Sequence, residues 1–133
     1  MSERVQPEET SLDSPLETLT SGPGVLGAMV CTDDGLPLLV RLQSHHDRET
    51  LAAAGAELGE MTCEVLDRLK QGELEMAVLE TEEFRFVVRP LSMGFLLVMA
   101  ESEANVGLLS VEMSKAAAAL EKAVSAVVEP DLD

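Results

Sequence analysis

The sequence predicts an α+β domain, a five-stranded antiparallel sheet with two long helices on one face, in the order α-β-β-α-β-β-β-α. Three observations carry that prediction. From Asp47 to Lys70, apolar residues recur at three- and four-residue steps, as in an amphipathic helix. A second such stretch opens at Asn105 or Ser102 and puts Leu109, Met113, Ala116, Leu120, Val124 and Val127 on one side. Turn signals cut the rest of the chain into five short strand-like runs.

Residues 1–12 carry Glu3, Glu8 and Glu9 with few apolar side chains, and read as a disordered acidic arm. A single domain is expected over residues 13–128, followed by a short acidic tail, residues 129–133. Asp13 or Ser14 can cap a first short helix starting at Pro15, with Leu16 and Leu19 as its buried side. Ser21-Gly22-Pro23-Gly24 ends it.

Val25 to Cys31 is apolar throughout, as in a strand buried on both faces. Asp33-Asp34-Gly35 is a turn, and Leu36 to Leu42 returns as a strand. Pro37 has no N–H to give, which favours a sheet edge. Asp47 is the expected N-cap of the long helix, and Gly72 ends it behind Arg68 and Lys70. Three strands follow: Glu73 to Glu80, Phe84 to Arg89, and Met93 to Ala100. The last is apolar at nearly every position and belongs beside Val25 to Cys31 in the middle of the sheet.

The long helix has two apolar stripes. Leu51, Ala54, Leu58, Met61, Val65 and Leu69 form one, expected to close the core. Ala52, Gly55, Ala56, Gly59, Cys63 and Leu66 form the other. Glycine inside a helix costs about 1 kcal/mol relative to alanine, so a close approach should offset it. The small stripe is expected to meet the same helix of a second copy; its alternative use is to let the helix lie close on its own sheet. On the first expectation, Gly59→Leu blocks dimerisation and leaves the fold intact. The strand with Leu74, Met76 and Val78 is expected at a free sheet edge, where the same two-fold contact could join it to its mate.

Charge and composition narrow the function. Nine Lys and Arg stand against 25 Asp and Glu, a net charge of −16. Such a surface repels phosphate backbones and anionic lipid, which disfavours nucleic acid and membrane as partners. The polar, acidic start has no signal-peptide pattern, and no apolar run approaches the roughly 18 residues of a membrane span, so a cytoplasmic protein is expected. Cys31 and Cys63 lack metal or redox spacing and are expected as reduced thiols.

Catalytic motifs are wanting. Gly22-Pro23-Gly24-Val25-Leu26-Gly27 matches a dinucleotide fingerprint in letters alone, since it follows a helix and opens a strand. His45 and His46 share a loop without a further ligand at usable spacing. No nucleophile has an evident base. The expectation is a non-enzyme with no cofactor and no metal. Arg85 and Arg89 project from one sheet face and stand as possible partner contacts.

Val25-Leu26-Gly27-Ala28-Met29-Val30, Asp34-Gly35, Leu51-Ala52-Ala53-Ala54 and Asn105-Val106-Gly107-Leu108-Leu109 together resemble the roadblock/dynein light chain family, across nearly the whole chain. The resemblance implies a roadblock fold, related to longin domains, that dimerises through its second helices and joins edge strands into one sheet. It implies no catalysis, but service as partner, scaffold or activator of small Ras-like GTPases. Stand-alone acidic proteins of this size resemble bacterial members that work with a polarity or gliding-motility GTPase, some through a paralogous roadblock protein. No arginine finger is assigned. Two other classes share the gross features: a dimeric acidic secretion chaperone, which places three strands before its middle helix, and a profilin- or PAS-like small-ligand sensor, which needs a cavity beneath its helices.

Overall fold

The computed structural model describes residues 14–43 and 47–128. The predicted arm, the candidate cap Asp13, the two histidines and the tail lie outside the described residues. Helix α1 spans 14–20 and buries Leu16 and Leu19. Strands β1 (Val25–Cys31) and β2 (Pro37–Leu42) form the first hairpin, and α2 (Arg48–Leu69) follows. Strands β3 (Ala77–Glu80), β4 (Phe84–Leu91) and β5 (Gly94–Glu101) form a meander that leads into α3 (Val106–Val128).

The antiparallel sheet has the order β2-β1-β5-β4-β3. The two most apolar strands are therefore neighbours, with β5 central, and Pro37 lies on an edge strand as its missing N–H requires. Val98 of β5 stands opposite Ala28 of β1 on one side and Val87 of β4 on the other.

One expectation is corrected here. The two long helices lie on opposite faces of the sheet, not on one. Ala28, Val30, Val87, Leu96 and Val98 point toward α1 and α3, into a core completed by Leu109, Met113 and Leu120. Their strand neighbours Met29, Cys31, Val88, Phe95 and Leu97 point the other way, into a core closed by α2. Successive strand residues face opposite sides, so strands apolar at every position need cover on both.

A second difference concerns β3, which begins at Ala77 rather than Glu73. Ala77 pairs with Val88, and continuing that register would set Glu75 opposite Pro90. Pro90 has no N–H to donate, so the ladder has little to gain beyond Ala77.

The N-cap of α2 is as the sequence predicts, whereas the helix closes at Lys70 rather than at the expected Gly72. Asp47 accepts from the backbone N–H of Glu49 at 3.1 Å and of Thr50 at 3.4 Å. Lys70 closes the other end in the left-handed region, with φ 55°. At the start of α3, Asn105 Oδ1 accepts from Leu108 N at 2.9 Å. Near its far end, Glu121 accepts from Ser92 N at 2.6 Å and from Ser92 Oγ at 2.5 Å, tying the helix to the β4–β5 turn.

Candidate functional site

The small stripe of α2 faces inward. Ala52, Gly55, Ala56 and Gly59 are the buried residues of the helix. A Cβ on Gly55 would stand 2.5 Å from Leu97 Cδ2, and one on Gly59 would stand 2.5 Å from Phe95 Cζ. Carbon contacts settle at about 3.5–4.0 Å, so only glycine lets α2 come this close to β5. Cys63 and Leu66 continue the stripe and are half-buried. These six residues were expected at a contact between two copies; the four buried ones are covered by the protomer's own sheet, which corrects their role. The close approach that offsets the helical glycines is to β5.

The larger stripe faces outward instead. Met61, Val65 and Leu69 are 54%, 50% and 58% exposed, and Leu79 on β3 is 47% exposed. Leu51 and Leu58, in the N-terminal half of the same stripe, are partly buried and pack against the core beneath α2, as expected of that stripe. Leu79 pairs with Phe86, whose side chain belongs to the core beneath α2, so Leu79 lies on the same sheet face as the ridge. The sequence marks Met61, Val65 and Leu69 as core, which their exposure corrects, and it does not mark Leu79. The available signal was side-chain size, since the stripe that hugs a sheet can afford no bulk.

Beside the ridge runs an acidic flank. Glu57, Glu60, Glu64 and Asp67 border a shallow depression of about 330 Å³ with Met61 and Cys63. No salt bridge between described residues involves these four carboxylates. Burial and the neighbouring Glu60, Asp67 and Glu73 raise the pKa of the Cys63 thiol.

The free edge of β3 is the second component. Among the described residues β3 pairs with β4 alone, leaving its other side without a strand. Leu74 is half-buried in the segment ahead of β3, while Met76 and Val78 pack against the core on the α1/α3 side. What this edge offers outward is therefore backbone, with Leu79 toward the α2 face.

Arg85 and Arg89 share a sheet face, as predicted, and it is the one opposite α2, since Val87 between them enters the α1/α3 core. Arg85 is tied into its own hairpin. Its Nη1 donates to Thr81 O at 3.0 Å, and its Nε lies 3.9 Å from Glu80 Oε2. The structure thus brings neither arginine to the outer ridge of α2.

Cys31 is buried, and its thiol donates to Ala52 O at 3.8 Å. Burial chiefly pushes its pKa to about 11, too high for a nucleophile at neutral pH. Among the described residues no group of three or more His, Cys, Asp or Glu could hold a metal ion. None of the described helices is long and apolar enough to cross a membrane. What the geometry provides is an apolar ridge beside a sheet edge, a surface for protein contact.

A model of the Roadblock/LC7 domain matches residues 13–101. The chain belongs to that family. The roadblock fold agrees with solved structures. The Roadblock/LC7 domain from Streptomyces avermitilis superposes with a TM-score of 0.79 at 22% identity, over 85% of this chain and 97% of that one. Myxococcus xanthus MglB gives a TM-score of 0.80 at 16% identity, over 88% and 97%. The uncharacterized protein MJ0310 of Methanocaldococcus jannaschii is 26% identical over 106 residues, 80% of this chain and 93% of that one. Proteins of the Roadblock/LC7 family are generally non-catalytic regulators and adaptors.

Proposed function

We propose that this roadblock protein is a homodimeric, non-enzymatic adaptor for a small Ras-like GTPase system of polarity or motility type. It acts on the GTPase directly or through a paralogous roadblock protein. The observation that carries this reading is the exposed Met61–Val65–Leu69 ridge on the same sheet face as Leu79, at a sheet whose β3 edge is open. Large apolar side chains in a row at a helix surface mark a protein contact. A two-fold axis beside β3 would bury both ridges and pair both edges in one isologous interface. Likeness to MglB and the family's use of dimers support the same arrangement.

The acidic flank would border such an interface on both protomers, so a GTPase or paralogue docking there would present basic residues. Two measurements test the proposal. Light scattering at micromolar concentration is expected to give twice the chain mass, and a monomer would remove the dimer. Binding to candidate GTPases in GDP and GTP-analogue forms, with and without roadblock paralogues, is expected to show a nucleotide-dependent complex. No binding to any GTPase in either arrangement would remove the regulatory role.

A further inference from the structure

On the face opposite α2, helices α1 and α3 leave a groove of about 610 Å³ between them. Its α3 wall is made of Ala116, Ala119, Ala123 and Ala126, small side chains at steps of three and four that leave room for another segment of chain. Lys115 and Lys122 also line it, two helical turns apart on the same side of α3, and outnumber the single lining carboxylate, Glu112. Cations are scarce in this protein, nine against 25 acidic residues, so two on one groove stand out. Lys115 has Glu112 of the same helix at 3.7 Å, an exposed pair of little energetic weight.

Ser14 and Pro15 line the same groove, so residues 1–13 join the domain at its rim. That segment carries Glu3, Glu8, Glu9 and Asp13 against Arg4, with Met1, Val5 and Leu12 as its apolar residues. Extended chain covers about 3.3 Å per residue, and the helix rises about 1.5 Å per residue. About seven extended residues therefore match α3 from Glu112 to Ala126, roughly half of the segment.

We propose that residues 1–13 occupy this groove, with their carboxylates at Lys115 and Lys122 and their apolar side chains on the alanine wall. Charge complementarity selects an acidic occupant, and the tether selects this one. A segment joined at the rim has an effective concentration in the millimolar range, which a separate acidic partner rarely reaches. The inference is independent of the GTPase reading, which uses the other face of the sheet.

Zero-length carbodiimide cross-linking of the full chain tests it, using a mixture of light and heavy-nitrogen-labelled protein read by mass spectrometry. Links from Glu3, Glu8 or Glu9 to Lys115 or Lys122 are expected within chains of one label. Mixed-label links at the share that random pairing of the two labels gives would place a second copy in the groove and overturn the proposal, as would no link to either lysine. A second measurement is hydrogen exchange of Lys115→Glu/Lys122→Glu in the full chain. Residues 3–12 are expected to exchange about two- to fivefold faster, with α2 unchanged, as loss of two weak ion pairs implies. Unchanged exchange over residues 3–12 would overturn it too. The cross-link uses the unaltered protein and stands even if the variant fails to fold.

Discussion

Gly59 abuts the ring of Phe95 so closely that a Cβ in its place would stand 2.5 Å from Cζ. Phe95 is itself buried in the core beneath α2 and has little room to swing away. Gly59→Leu is therefore expected to lower the stability of the folded chain, by at least about 1–3 kcal/mol, through overpacking. This reverses the outcome expected from sequence, in which the same change spared the fold. Gly55→Leu should behave alike against Leu97. The alanine variants should fail to deliver the about 1 kcal/mol that helix propensity alone would give. Thermal or urea unfolding followed by circular dichroism measures all four.

The outer ridge should respond in the opposite sense. Val65 is exposed in the protomer, so Val65→Glu is expected to change the stability of the monomer by no more than about 0.5 kcal/mol. In the proposed dimer the new carboxylate would be buried against an apolar ridge, beside the partner's acidic flank. Sedimentation or light scattering should then show dissociation while the circular dichroism spectrum is kept. An unchanged dimer would move the interface off this ridge.

The contrast between Gly59 and Val65 shows what sequence could and could not tell. Periodicity and composition located α2, its N-cap and both apolar stripes, because these depend on local chemistry at Asp47 and on a 3.6-residue repeat. They did not say which stripe meets the sheet, because that depends on side-chain volume at contacts distant in the chain, Gly55 with Leu97 and Gly59 with Phe95. The placement of α3 was more legible than the expectation allowed. Every residue of β5 from Phe95 to Ala100 is apolar, and a strand with two apolar faces calls for helices on both. The β3 edge was read correctly as free, but its length was set by Pro90 on the neighbouring strand. Leu79 escaped notice because alternation alone does not reveal that α2 leaves it uncovered.

Cys31 makes a test of burial through pH. Desolvation first, and the nearby Asp33 charge to a lesser degree, raise its pKa from the ordinary 9.0 to about 11, against a lowering by the backbone hydrogen bond from Phe95. The protonated thiol suits the folded state, while the unfolded thiol ionises first. The associated stability is thus complete below pH 9.0 and is lost as pH rises toward about 11. Urea unfolding over that window should show a decline in the parent protein that Cys31→Ala lacks. At neutral pH an alkylating reagent should reach Cys63 before Cys31, because Cys63 is the more exposed of the two.

Asp47 supplies a prediction of the same form with the opposite sign. Its carboxylate accepts from Thr50 Oγ1 at 2.8 Å as well as from the backbone N–H groups of Thr50 and Glu49. The Thr50 hydroxyl contributes most to lowering its pKa below the ordinary 3.8, followed by the two backbone donors. A carboxyl whose pKa is lower in the folded state stabilises above the unfolded value and loses that contribution as pH falls through the folded one. Asp47→Ala should therefore melt at lower temperature than the parent at neutral pH, and the gap should narrow as pH falls below 3.8. Asp47→Asn keeps a cap oxygen without the charge, so it should recover part of the loss at neutral pH and show less narrowing. A gap that stays constant with pH would mean that the side chain acts by shape alone, and that neither the charge nor the α2 dipole contributes.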